Sequence, residues 1–134
     1  MAPLNQDNSF TQGRNLTQFV GSIARTDTAS KILFNLPTNC IPVAITVSSS
    51  AVSNAGTTAT ISIGKPGGAG TEFLTTQDVK GANGSGHQHF AGPAASLYGT
   101  PLAVGGGVTG IYAETGGASN AGGPWIVIMD VLVI

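Results

Sequence analysis

Apolar residues recur at every second position along several stretches of the chain, a period typical of β-strands that bury one face. In segment 58–63, for example, Ala59, Ile61 and Ile63 alternate with threonine and serine, and we expect these three side chains to point inward. Helix signals are weak because Gly, Ser, Thr and Val dominate the sequence. The pattern predicts strands over 19–24, 32–36, 41–47, 58–63, 101–104, 108–114 and 125–134. Segment 72–79 fits either a strand or one short helical turn, and we favour a strand that leads into a turn.

Segment 41–47 shows the same alternation around a proline. Ile41, Val43, Ile45 and Val47 are predicted to share one face. Pro42 has no N–H to donate to a neighbouring strand, so the start of this strand is expected to be an edge or a bulge.

The last segment, 125–134, is apolar on both faces, which indicates a central strand or one covered by a neighbour. Asp130 interrupts it, and we expect an outward position or an interface salt bridge there, because a buried unpaired charge is very costly. Trp125 is predicted to be a core or interface anchor, and Tyr98 and Tyr112 are candidates for the same role.

About eight short strands separated by Gly, Pro and Asn are typical of a sandwich, jelly roll or barrel. The predicted fold is all-β, an antiparallel β-sandwich or jelly roll. Residues 16–134 are expected to form one sandwich domain, and residues 1–15 an extended N-terminal arm. Segments 64–70, 81–86 and 116–124 are expected to be loops, and Gly105–Gly107 a turn.

Composition narrows the function classes. The chain has 134 residues, a formal net charge of −1 and 8% charged residues, against about 25% in an ordinary globular protein. Its basic residues are few and scattered, so nucleic-acid binding is not expected.

The first residues resemble no secretory signal, and no apolar stretch is long enough for a membrane helix. We therefore expect synthesis in the cytoplasm.

Cys40 is the only cysteine, so an internal disulfide is impossible. A lone cysteine before an apolar strand is expected to be a buried small hydrophobe rather than a nucleophile.

His87 and His89 are the strongest candidates for chemistry. Residues two apart on a strand point to one face, so two imidazoles there can share a metal. A zinc site usually needs three or four protein ligands, however, and the chain has only these two histidines. We favour a polar pair in or beside the 81–86 loop, and the remaining alternative is a site completed by symmetry in an oligomer.

Other motifs do not indicate catalysis. The glycine-rich loop 64–70 superficially suggests a phosphate-binding loop, but it lacks the Gly-Lys-Ser/Thr ending. Asn15-Leu16-Thr17 matches a glycosylation acceptor at chance level, and Ser48–Ser50 lack a Gly-x-Ser-x-Gly framework. None of the acidic residues lies in a pairing motif for acid–base catalysis. We predict no catalytic, cofactor-binding or metal-binding residues, and no enzyme activity.

Few charges leave little repulsion to keep molecules apart in solution. A surface of Ser, Thr, Asn, Gly and Ala therefore suits a protein that is packed in an assembly.

Several segments resemble a pattern found in small structural proteins of tailed bacteriophages. They are 59–64, 71–79, 95–102, 110–116 and 124–128. The resemblance covers about the last 80 residues and lacks a catalytic signature, so no functional residue carries over. It implies a capsid decoration (cement) protein of jelly-roll or sandwich type, a homodimer or homotrimer bound to the major capsid protein outside the shell.

The resemblance also assigns a use to the N-terminal arm, which we expect to add a strand to a capsid subunit or a neighbouring copy. Two other functions remain open. One is a tail, fibre or spike module that binds a host glycan through exposed aromatic residues. The other is a small cupin-type metal enzyme, which needs more histidines and carboxylates than this chain arranges.

Overall fold

The computed structural model describes residues 15–80, 88–92 and 106–133, with backbone alone for Asn15 and 88–92. All regular structure in these ranges is β-strand. The strands are β1 (Asn15–Ile23), β2 (Lys31–Leu36), β3 (Cys40–Ser49), β4 (Thr58–Gly64), β5 (Leu74–Asp78), β6 (Gln88–Gly92), β7 (Gly106–Thr115) and β8 (Trp125–Val133).

The strands form two four-stranded sheets. The first sheet has the order β1-β8-β3-β6, and the second has the order β2-β7-β4-β5. Every pairing is antiparallel. The predicted all-β class with antiparallel sheets is therefore confirmed. The described part of the chain contains no helix of the length and hydropathy that crossing a membrane requires.

The core lies between the two sheets and is built from the alternating positions that the sequence predicted. Ala59, Ile61 and Ile63 of β4 are at most 1% exposed, which confirms their inward orientation. The largest fully buried side chains are Trp125, Tyr112, Phe73, Ile23, Ile45, Ile61, Ile63 and Met129. Burial of such side chains is the main favourable contribution to folding.

The sandwich closes at the edge where β1 meets β2. The rings of Phe19 and Phe34 stack there, with centroids 5.6 Å apart. Between them the backbone comes close, because a Cβ on Gly21 would lie 2.9 Å from the Cβ of Leu33. Glycine at position 21 therefore allows the two sheets to approach each other.

The prediction that Ile41, Val43, Ile45 and Val47 share one face is wrong. The register between β3 and β8 shifts between Pro42 and Ala44, so the expected bulge is present. The extra residue reverses the alternation: Ile45 and Val47 are fully buried, whereas Ile41 is partly exposed and Val43 is 38% exposed.

Two other local predictions differ from the structure. Gly106 and Gly107 are not in a turn but begin β7, where they pair with Leu36 and Asn35 of β2. Strand β6 was not predicted, because its five residues, Gln-His-Phe-Ala-Gly, show no apolar alternation; it is identified by its pairing with β3. The predicted strand 101–104, the 81–86 loop and the arm up to residue 14 lie outside the described residues.

Candidate interaction surface

The outer side of the first sheet carries aliphatic side chains from three neighbouring strands. We call this surface the apolar face. It comprises Leu16 and Val20 of β1, Ile126, Ile128 and Leu132 of β8, and Ile41 and Val43 of β3.

The strand register places the residues of the apolar face in rows. Leu132 is paired with Leu16 on one side and with Ile41 on the other. Ile128 is paired in the same way with Val20 and with Thr46. Because directly paired residues of antiparallel strands point to the same side of a sheet, the first row is an aliphatic strip across three strands. The second row is aliphatic across two strands and ends at Thr46, and Ile126 is flanked by Ser22 and Ser48.

The apolar face is exposed to solvent. Leu16 is 66% exposed, Val20 58%, and Val43 and Ile126 38% each. Single exposed aliphatic residues are normal on protein surfaces, whereas several of them on one side of a sheet make that side a candidate interaction surface. The expectation that the last strand is central is confirmed, since β8 lies between β1 and β3, and its outer side is available to a neighbour.

The outer side of the second sheet has a different character. Hydroxyl-bearing residues dominate its two central strands, namely Thr58, Thr60, Ser62, Thr109 and Thr115. The hydroxyls of Thr58 and Thr115 bond to each other, and Thr109 donates to the carbonyl of Gly64 at 3.1 Å. We call this side the hydroxyl face; Ser62 and Thr109 are buried there, and the three other threonines are at least partly exposed. Ile32 of the edge strand β2 is its main exposed aliphatic residue, at 57%.

Asp130 lies within the apolar face, between its rows. It is paired with Gln18 on β1 and with Ala44 on β3, and the Gln18 amide donates a 3.1 Å hydrogen bond to its carboxylate. The expected outward position of Asp130 is therefore confirmed. Among the described residues the only ion pair joins Lys31 to Asp27, so no basic side chain of that set neutralises Asp130.

The predicted aromatic anchors belong to the core. Trp125 and Tyr112 are both fully buried, and their rings stack with centroids 5.3 Å apart and planes 18° apart. Neither ring contributes to an exposed aromatic platform of the kind that a glycan-binding module uses. Tyr98 lies outside the described residues.

A polar network joins the loop between β3 and β4 to the loop between β7 and β8. The Tyr112 hydroxyl lies 2.6 Å from the Ser53 hydroxyl and donates to the Glu114 carboxylate at 2.8 Å. Glu114 also accepts bonds from the hydroxyl and the backbone N–H of Ser119. These bonds, those from Ser119 foremost, lower the pKa of the Glu114 carboxyl.

The glycine-rich loop 64–70 already holds an anion supplied by the chain itself. The Glu72 carboxylate accepts hydrogen bonds from the backbone N–H groups of Lys65 (2.9 Å), Ala69 (2.6 Å) and Gly70 (3.1 Å). Burial raises the pKa of Glu72, but these bonds outweigh it, and the pKa lies below its ordinary value. Because the loop amides are occupied, a phosphate would have to displace Glu72.

Stability is expected to decrease in acid because of three carboxylates. The pKa values of Asp27, Glu72 and Glu114 are all lowered in the folded chain. For Asp27 the main cause is the N–H of Ala24, with Lys31 adding to it. Such groups stabilise the fold fully above their ordinary values, 3.8 for Asp and 4.5 for Glu, and this contribution is lost as the pH falls through the lower folded values.

The melting temperature should therefore change little between pH 7 and pH 5 and decrease by several degrees below about pH 4.5. Glu72→Gln provides the control, since it removes one titrating group and weakens the loop at every pH. Its melting temperature should decrease less steeply in acid than that of the wild type. Parallel curves for the two proteins would show that Glu72 does not contribute to the acid sensitivity.

The remaining candidates do not form a site in the described structure. Cys40 is fully buried at the start of β3, and burial raises the pKa of its thiol, consistent with the expected small hydrophobe. His87 lies outside the described residues, and of His89 only its place on β6, paired with Ser48, is known. No group of three or more potential metal ligands occurs among the residues that the structure describes.

The outer positions of β1 were not singled out from the sequence. Leu16 and Val20 belong to a strand whose inner residues, Phe19 and Ile23, attracted the prediction. The available signal was the last segment, which is apolar on both faces. Its partners on the apolar face depend on pairings between residues far apart in the sequence, such as Leu16 with Leu132 and Ile41 with Leu132.

Comparisons with known proteins agree with the architecture. No protein-family model matches the sequence, and no curated protein matches it. The fold is similar to a chain of the cyanophage Pam1 capsid asymmetric unit, with a TM-score of 0.62 and 21% identity over 89% of this chain and 84% of that chain. It is also similar to a chain of the acidic stable capsid of Helicobacter pylori bacteriophage KHP30, with a TM-score of 0.59 and 14% identity over 89% and 90% of the two chains. At these identities the likeness shows a shared fold.

Proposed function

We propose that this chain is a structural virion protein, a homodimer or homotrimer that binds the outside of a phage capsid and bridges major capsid subunits. The observation that carries the proposal is the arrangement of its strands. The pairs β1–β8, β2–β7, β3–β6 and β4–β5 are all antiparallel. This nested order in two sheets supports the proposal of a jelly roll, an architecture common in viral capsids.

The structural comparisons support the proposal in two ways. Both matched structures are structures of phage capsids. Each match covers most of both chains, so the matched chains have about the same length as this one. A single domain of this size and fold therefore occurs in two capsid assemblies.

The chemistry of the described acidic residues supports a role without catalysis. Each of them accepts a hydrogen bond that serves the fold: Asp27 from Ala24, Glu72 from its loop, Asp78 from Lys80, Glu114 from Ser119 and Asp130 from Gln18. A general acid or base has to be within reach of a substrate proton. Carboxylates used in this way are better suited to holding a rigid module together.

The mechanism of stabilisation is linkage. A protein that binds only the mature shell lowers the free energy of that state relative to any form that it does not bind. The stabilisation grows with the number of occupied sites. Once one subunit of an oligomer is bound, its other subunits are held near their own sites at a high effective concentration, so individually weak contacts together bind tightly.

The test compares phage heads assembled with and without this chain. We expect cryo-electron microscopy to show a sandwich-shaped density on the outer surface of complete heads, and deletion heads to lose their DNA at a lower temperature. Adding back the purified protein should restore both properties. Density confined to the tail would favour the host-attachment function, and unchanged heat resistance would contradict shell stabilisation.

A further inference from the structure

Four of the five large aliphatic side chains that are exposed among the described residues lie on the apolar face, namely Leu16, Val20, Val43 and Ile126. Leu16 and Val20 are more than half exposed, and they continue across the sheet into Ile128 and Leu132. An aliphatic surface of this kind is less stable in water than against another apolar surface. The question is which partner covers it.

The size of the apolar face argues against a second copy of this chain as the partner that covers it. With strands about 4.8 Å apart and a rise of about 3.4 Å per residue, three strands and four rows cover on the order of 350 Å². A stable pair of proteins usually buries about 800 Å² on each partner. The area of the apolar face is less than half of the area that each partner of a stable pair buries. An area this small suits a contact that is repeated many times on a shell better than one that holds two free copies together.

The charge on the face supports the same conclusion. In a twofold contact both copies use the same patch, so Asp130 and its counterpart would lie in one apolar interface. Like charges in such surroundings are unfavourable, because a buried charge needs a partner of opposite sign. Gln18 provides Asp130 with one neutral donor, which leaves its negative charge to be matched by a cation.

We propose that the apolar face is the surface that docks on the capsid shell, against a shell patch of aliphatic side chains around one lysine or arginine that pairs with Asp130. This inference rests on the proposed function and specifies the surface and the chemistry of the partner. The aliphatic rows exclude water, and the ion pair sets the register, since a shifted contact would leave Asp130 against apolar atoms.

The first test places a charge on each outer side of the sandwich. Val20→Glu puts a carboxylate on the apolar face, and Ala113→Glu puts the same group at an exposed position on the other sheet. Both proteins are added to heads that lack this chain, and occupancy is measured by co-sedimentation. We expect at least a tenfold loss of affinity for Val20→Glu and a less than twofold change for Ala113→Glu, with circular dichroism and melting unchanged for both.

The second test removes the charge. Asp130→Asn keeps the shape of the side chain, and Asp78→Asn removes an exposed carboxylate from β5 as the control. We expect Asp130→Asn to bind about tenfold more weakly and with less dependence on salt, because the shell cation loses its partner. Asp78→Asn should behave as the wild type does.

The outcomes separate the possible failures. If the wild type binds and Val20→Glu binds equally well, another surface docks and the proposed function remains. If Val20→Glu changes the oligomeric state measured by light scattering, the face joins copies of this chain and the shell assignment is wrong. If the wild type does not bind heads, the proposed function fails and this assignment fails with it.

Discussion

Replacing Trp125 with alanine is expected to lower the free energy of unfolding by about 3–5 kcal/mol, the usual effect of deleting a large buried aromatic side chain. Trp125 is fully buried, and its indole stacks on the ring of Tyr112. It is also the first residue of β8, the strand that lies between β1 and β3. Removing the indole leaves a cavity at the point where the loop 116–124 enters the sandwich.

Urea denaturation of the purified protein measures this effect, with the midpoint reduced and the slope unchanged. Ile126→Ala is the matched control, because the neighbouring residue on the same strand points outward and is 38% exposed. It should cost less than about 1 kcal/mol. Equal losses for the two variants would mean that the inner and outer sides of β8 are wrongly assigned.

Replacing Gly56 with alanine is expected to cost more than about 2 kcal/mol, because the new methyl group meets backbone rather than a side chain. A Cβ at this position would lie 1.8 Å from the carbonyl oxygen of Gly116 and 2.4 Å from its carbonyl carbon. The loops are also held together here by a 3.0 Å bond from the N–H of Gly56 to the carbonyl of Gly117. The methyl group would push the two loops apart and break that bond.

Thermal melting followed by circular dichroism measures the effect of Gly56→Ala. Gly67→Ala is the control, because a Cβ there has no atom within 4 Å and only the positive φ of 74° opposes it. Its cost should be about 1 kcal/mol, that of a left-handed backbone at alanine. A melting temperature for Gly56→Ala above that of Gly67→Ala would contradict the close approach of the loops.

Local pattern was sufficient where a core strand keeps its alternation without a bulge, as in the first part of β4. Ala59, Ile61 and Ile63 were identified from alternation alone, because the period of a strand depends on the backbone and not on its neighbours. In β3 the same reasoning predicted an edge or a bulge near Pro42 but placed Ile41 and Val43 on the same face as Ile45 and Val47. A bulge moves the alternation by one residue, and the exact position of that shift is set by pairing with β8.

The candidate surface was only partly foreseeable. The sequence indicated that the last strand has two apolar sides and that Asp130 faces outward, since both follow from one continuous segment. It did not indicate that Leu16, Val20 and Ile41 join that strand in a single face. Sheet order brings these residues together, and sheet order depends on contacts between distant parts of the chain.

The sequence by itself therefore determined the strand-forming character, the scarcity of charge and the inward-facing core, because these follow from the chemistry of neighbouring residues. The tertiary structure alone decided which strands are adjacent, where β3 changes face, and that most of the exposed aliphatic residues lie on the outer side of the first sheet. The physical reason is that strand pairing satisfies backbone hydrogen bonds almost regardless of side chain. The choice among pairings is made by how the whole set of apolar faces packs together.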